Sequence, residues 1–181
     1  NVIADCADEI PTRVPSIDEC NFTSNASYIH LTSNETISGA QWKIFPENTA
    51  PLVADMSSDF LSKPLDISNF GLIYAGAQKN LGPAGVTLVI IKDELADKCP
   101  KHIPTIFRYK TYIENNSLFN TVPTFPVYVL CLVTRWMKKI GGIAEIQNIN
   151  DLLNINLFSK QNIFKNFNSV NQSEINFTRN I

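Results

Sequence analysis

The chain has 181 residues, 44% hydrophobic and 18% charged, with a formal net charge of −2. That balance excludes a disordered polymer, and the lack of a Lys/Arg stripe excludes a nucleic-acid footprint. No apolar run approaches the ~20 residues of a membrane span; Cys6, Cys20, Cys99, Cys131, His30 and His102 are too scattered for a metal site.

ASYIHLT (26–32), PLVADMS (51–57), FGLIYAG (70–76) and GVTLVIIK (85–92) read as strands separated by Pro, Gly, Asn and Asp clusters. The middle segments are almost continuously apolar, as parallel strands buried on both faces would be. GPAG (82–85) is too tight for a crossover helix, so the strand after it should run antiparallel. The expected fold is α/β, a mostly parallel sheet with one reversed strand. NSLFNTVPTF (116–125) reads as a loop, after which Thr124 is expected to cap a helix through PVYVLCLVTRWMKK, with Pro126 in its first turn. Gly141 and Gly142 should end that helix, and Trp136 should pack in its core. A second, weaker amphipathic helix is expected over 142–158, and the text from Ser159 is Asn-rich.

Lys79 stands in AGAQKNLGPAG (75–85) with no charged neighbour for several residues. A nucleophilic lysine must lose its proton against an ordinary pKa of about 10.4, which burial in apolar surroundings assists. Ala75, Gly76 and Ala77 are small enough for a bulky ligand to approach, and a strand end is where α/β folds bind ligands. The bland reading is a surface or snorkelling lysine. Asp55 ends an earlier apolar strand and also has two readings. It is a helix N-cap ahead of SSDFLSK, or it faces the same pocket as Lys79. Pyridoxal phosphate is the cofactor whose chemistry wants both a lysine for its aldehyde and a carboxylate for its pyridine nitrogen.

VADMSSDFLSKPLDISNFGLIYAGAQKNLGPAGVTLVIIKDEL resembles the core of the phosphoserine aminotransferases, fold-type I pyridoxal-phosphate enzymes. SYIHLTSNETISG upstream and NSLFNTVPTFPVYVLCLV downstream are similar to the same family in the same order, so the resemblance covers roughly Ser27 to Gly142. The resemblance implies that Lys79 is the Schiff-base lysine, that Gln78 contacts the cofactor phosphate and that Asp55 faces the pyridine nitrogen. It implies that Thr36 bonds near the ring hydroxyl, and that Asn120 and Thr121 reach the partner's cofactor phosphate across a homodimer interface. The activity implied is amino transfer from L-glutamate to 3-phosphohydroxypyruvate, giving O-phospho-L-serine and 2-oxoglutarate.

Regions of that family are absent at both ends, including the ring-stacking tryptophan and the arginines that grip substrate phosphate. Neither Trp42 nor Trp136 lies in the motif to replace the former. The expected organisation is part of a cofactor-binding large domain (1–123), connecting helices (124–158) and the start of a small C-terminal domain (159–181). NQSEINFTRNI (171–181) resembles the beginning of that domain's next strand. A cytoplasmic location is expected, since the sequons at Asn21, Asn25, Asn34, Asn115, Asn171 and Asn176 read as composition in an Asn-rich chain without a signal-peptide pattern. The alternative is a catalytically incomplete homologue, an interaction partner or gene remnant.

Overall fold

The computed structural model describes residues 1–6, 13–47 and 50–164. Four strands form one sheet in chain order: β1 (Ile29–Thr32), β2 (Leu52–Asp55), β3 (Phe70–Gly76) and β4 (Thr87–Ile91). β1, β2 and β3 run parallel and β4 pairs antiparallel to β3, as the tight GPAG connection requires. The connection between β2 and β3 contains turns and a 3₁₀ turn, Ile67–Asn69, instead of the α-helix expected of a parallel crossover.

The period of two along each strand sorts the residues by face. Ile29, Leu31, Leu52, Ala54, Phe70, Ile73 and Ala75 turn into one core with Trp42, Met56, Phe60, Ala77 and Leu81. Phe45 closes it with an edge contact to Phe70, ring centroids 4.9 Å apart. Ile73 and Leu81 are almost wholly buried, worth about 1.5–3 kcal/mol each. Gly71 is required by close approach: a Cβ there would stand 2.6 Å from Leu95 Cδ1 and 2.8 Å from Pro51 Cβ. Leu95 belongs to α1 (Asp93–Asp97), which follows β4 directly.

After α2 (Tyr109–Glu114), two longer helices follow, α3 (Thr124–Ile140) and α4 (Ile143–Phe164). Pro123 occupies the N-cap of α3, so Thr124 is its first helical residue and makes no cap bond. Pro126 sits in the first turn, where its missing N–H costs nothing. It packs against Gly85, whose φ of +109° strains any side-chain-bearing residue and where a Cβ would crowd Pro126 Cγ at 3.3 Å. Lys138 and Lys139 fall in the last turn, and the Gly142 amide donates to the Met137 carbonyl at 2.9 Å. Trp136 is 52% exposed, and Met137 is the buried residue of α3 instead. The expectation of a core tryptophan fails because the apolar residues of α3 exceed the one side that meets the rest of the chain. Helix α4 extends past 158, while the expected strand over 171–181 lies outside the described residues. Among the described residues, no helix is long and apolar enough to cross a membrane.

Candidate active site

Lys79 follows β3 in a turn whose ends are fixed by buried apolar anchors. Ala77 and Leu81 are 0% and 1% exposed, and the Gly82 amide donates to the Ala77 carbonyl at 2.7 Å. Gln78 and Lys79, between the anchors, are exposed. Ala75 and Ala77 point into the core, so they are small to suit packing and do not face a ligand. Gly76 alone of that triplet lies on the other side, and the Gln78 carboxamide folds against it so closely that a Cβ would meet Oε1 at 2.6 Å.

The lysine is held from a distant loop. Lys79 Nζ donates to Thr36 Oγ1 at 2.5 Å. Thr36 sits at the tip of a loop braced by a bridge between Asn34 and Gln41 and by the Glu35 amide on the Ala40 carbonyl at 2.8 Å. The Ser38 amide donates to Glu35 Oε2 at 2.6 Å. This amide and that of Ile37 hold the Glu35 carboxyl below its ordinary range, with smaller help from the Ser38 hydroxyl and the charge of Lys79.

Asp55 ends β2 beside the lysine strand, in register with Tyr74 of β3. Its Oδ1 accepts from the Ser57 amide at 2.9 Å and the Ser57 hydroxyl at 2.7 Å. The carboxylate therefore caps a turn, not a helix. The Ser57 hydroxyl accepts in turn from the Gly76 amide at 3.0 Å. Ser57 thus ties the carboxylate to the strand that ends in the lysine turn. Burial, followed by the charge and hydrogen bonding of Asp55, pushes the Tyr74 phenol above its ordinary pKa.

The structure brings Lys79 and Thr36 into contact and sets Asp55 on the neighbouring strand end. Asn120 and Thr121 are exposed; the Asn120 amide donates to the Thr121 carbonyl at 3.2 Å. Neither shares a hydrogen bond with Lys79, Thr36 or Asp55 among the described residues. Two positioning residues escaped the sequence reading, Ser57 and Asp59. Asp59 accepts from the Ser33 hydroxyl and from the Gln41 amide at 2.8 Å, pinning the Thr36 loop to the turn after β2. The only signal for either was the polar run SSD after an apolar strand.

An amine and a braced carboxylate thus stand at the ends of the adjacent parallel strands β3 and β2. Residues 12–178 match the family model of class-V aminotransferases, and the chain belongs to that family. It is 53% identical over 138 residues to a phosphoserine aminotransferase of Niallia circulans, covering 76% of this chain and 38% of the relative. It is 55% identical over 139 residues to that of Herpetosiphon aurantiacus, covering 76% and 39%. Among solved structures it resembles the phosphoserine aminotransferase of Bacillus circulans subsp. alkalophilus, at 52% identity and a TM-score of 0.74, covering 76% and 38%. It also resembles the pyridoxal-phosphate-bound enzyme of Trichomonas vaginalis, at 36% identity and a TM-score of 0.77, covering 83% and 44%. The chain therefore spans about two-fifths of the length of the curated relatives it matches.

Proposed function

We propose that this chain carries the cofactor-binding centre of a phosphoserine aminotransferase, moving an amino group from L-glutamate to 3-phosphohydroxypyruvate. The observation that carries the reading is the Lys79–Thr36 hydrogen bond beside an Asp55 carboxylate fixed by Ser57. The donor set fits pyridoxal phosphate. It offers an amine for an aldehyde, a hydroxyl beside that amine and a carboxylate for a protonated ring nitrogen. Gln78, exposed next to the lysine, offers an amide for the phosphate.

Bound pyridoxal phosphate would supply an aldehyde to carry the amino group and a ring to accept the electron pair left on carbon. The chain's own residues would do the rest. Lys79 Nζ would hold the resting cofactor and then, as a free amine, take a proton from the substrate carbon and return it at the neighbouring position. Thr36 keeps that nitrogen at the strand end. Asp55 would hold a positive charge on the ring nitrogen, and Ser57 keeps the carboxylate from turning away.

Asn120 and Thr121 would complete the site of a second copy in a homodimer. Immediately after them, α3 exposes Phe125, Tyr128, Leu132 and Trp136, an apolar stripe at helical spacing that a second subunit would cover. Residues 1–123 would be part of the cofactor-binding large domain, 124–158 connecting helices and 159–181 the start of a small domain, in a cytoplasmic enzyme.

The test is titration with pyridoxal phosphate, borohydride reduction and peptide mapping. A pyridoxyl group on Lys79 alone is expected; scattered labelling of several lysines, or none, overturns the reading. The exposed apolar stripe of α3 also suits a second reading, a non-catalytic homologue that pairs with a full-length subunit. Heterodimers seen by light scattering on mixing with a full-length relative, without Lys79 labelling, would support it.

A further inference from the structure

The chemistry proposed for Lys79 gives no part to its neighbour, Asn80. Gln78 and Lys79 are exposed, but Asn80 is half-buried, and its side-chain Nδ2 donates to the Phe60 carbonyl at 2.6 Å. A carbonyl can only accept, so the end of the carboxamide that meets it is the NH2. Phe60 is itself buried, and Leu61 after it takes φ +64°. Among the described residues, no backbone amide donates to the Phe60 carbonyl, so Asn80 satisfies a group that burial would otherwise penalise.

Phe60 belongs to the turn over 57–61, which also grips the other two parts of the candidate site. Ser57 in this turn holds Asp55. The Ser58 hydroxyl donates to the Asn34 carbonyl at 2.9 Å and accepts from the Asn34 carboxamide at 3.0 Å, in the loop that carries Thr36. The turn is fastened in its own right: the Phe60 amide donates to the Met56 carbonyl at 2.9 Å, and the Met56 amide to the Tyr74 carbonyl at 2.8 Å. Asn80 brings the Lys79 turn onto the same hub. Ala77 and Leu81 bury the ends of that turn, but burial is non-directional. A hydrogen bond weakens steeply with misalignment, so the Asn80 bond fixes how the turn is rotated against 57–61.

We propose that Asn80 is a positioning residue for Lys79: its carboxamide clamps the lysine turn to the Phe60 carbonyl and keeps the amine on Thr36, in one frame with Asp55. Its part in amino transfer rests on the reading of Lys79 as the amine that holds the cofactor aldehyde. Without the clamp the turn keeps its buried anchors, but Lys79 sweeps a wider volume and meets the aldehyde less often.

The experiment uses the 181-residue chain labelled with carbon-13 and nitrogen-15, first without cofactor. One Asn80 side-chain hydrogen should exchange slowly with solvent; exchange as fast as that of an exposed asparagine overturns the clamp. The nuclear Overhauser contact between the Lys79 ε-protons and the Thr36 methyl should be present in the unsubstituted chain and lost in Asn80→Ala. An unchanged contact overturns the positioning role. In a second arm, Asn80→Ala should weaken pyridoxal-phosphate retention at Lys79 about threefold to tenfold, the loss of one hydrogen bond. Deoxypyridoxine phosphate, which has the same ring and phosphate but no aldehyde, should bind both proteins alike. Equal losses for the two ligands would make Asn80 a support of the fold alone and overturn the role. Asn80→Gln keeps a donor on a longer arm and should recover part of the retention; it also carries both comparisons if Asn80→Ala does not fold. Absence of Lys79 labelling in the unsubstituted chain defeats the cofactor reading, while the exchange and Lys79–Thr36 measurements still decide whether Asn80 places the lysine.

Discussion

Lys79 Nζ and Thr36 Oγ1 meet at 2.5 Å although they belong to different loops, one after β3 and one after β1. β2 lies between those two strands, so the contact spans the strand that carries Asp55. Replacing Thr36 by Val removes the oxygen and keeps the shape. Because the pair is exposed, stability should change by less than about 0.5 kcal/mol. Pyridoxal-phosphate retention, measured by absorbance titration, should fall about threefold to tenfold. Thr36→Ser should recover most of it. Retention unaffected by Thr36→Val would remove Thr36 from the site.

Ser57 has a different weight, because three hydrogen bonds meet on it. Ser57→Ala leaves the Gly76 amide without its acceptor and Asp55 Oδ1 without its hydroxyl donor. A loss of about 1–3 kcal/mol in urea unfolding is expected. The Gly76 amide should also exchange faster with solvent. Ser57→Thr keeps the oxygen and should restrain both effects. A Gly76 amide equally protected in Ser57→Ala would show that the hydroxyl is not its partner in solution.

The N-terminal part of the chain supplies a pH prediction. Glu19 accepts from Arg13 at 2.7 Å and 2.8 Å and from the Ser16 amide at 2.7 Å. The Arg13 guanidinium, then the Ser16 amide and hydroxyl, lower its pKa from 4.5 to about 2. A depressed carboxyl contributes stability that is present above the unfolded value and lost as pH falls through the folded one. The contribution should therefore fade between pH 4.5 and about 2. Glu19→Gln should flatten that stretch of the acid-unfolding curve, and carbon-13 titration should place the Glu19 midpoint near its lower end. A midpoint at the ordinary glutamate value would mean that the pair does not persist in solution.

The apolar stripe on α3 makes the proposed homodimer testable without the cofactor. Trp136→Glu puts a charge among Phe125, Tyr128 and Leu132 at a position already 52% exposed. The circular-dichroism spectrum should stay the same while the light-scattering mass falls from two chains to one. An unsubstituted chain that is already monomeric would count against sites shared between subunits.

How far the sequence could be read depended on whether a signal was local. β3 was legible to the residue because FGLIYAG is a continuous apolar run bounded by polar turns. The reversal into β4 followed from GPAG alone, since no crossover fits in so few residues. Thr36 and Lys79 were each singled out by motif resemblance, but nothing in either loop's composition specifies the contact between them. The small residues before Lys79 misled, because Ala75 and Ala77 alternate with Gly76 onto opposite faces and only the glycine is on the site side. Ser57 and Asp59 were illegible for a related reason. Serine and aspartate after a strand are ordinary turn residues, and only their tertiary partners distinguish these two. Trp136 was expected in the helix core, but an apolar residue in a helix does not by itself say which side of that helix finds a neighbour.

The antiparallel pairing of β3 with β4 also bears on the order in which the candidate site assembles. β3 and β4 are joined by one short connection, whereas β1 with β2, and β2 with β3, must close longer loops before any ladder forms. Loop closure costs entropy before contacts repay it, so the β3–β4 hairpin is the cheapest nucleus in the sheet. Lys79 lies within that connection, and Asp55 and Thr36 arrive only when the long-range ladders dock. Substitutions in β3 and β4 should slow refolding, while those in β1 should mainly speed unfolding. The Lys79 turn would then be the template on which the rest of the candidate site condenses.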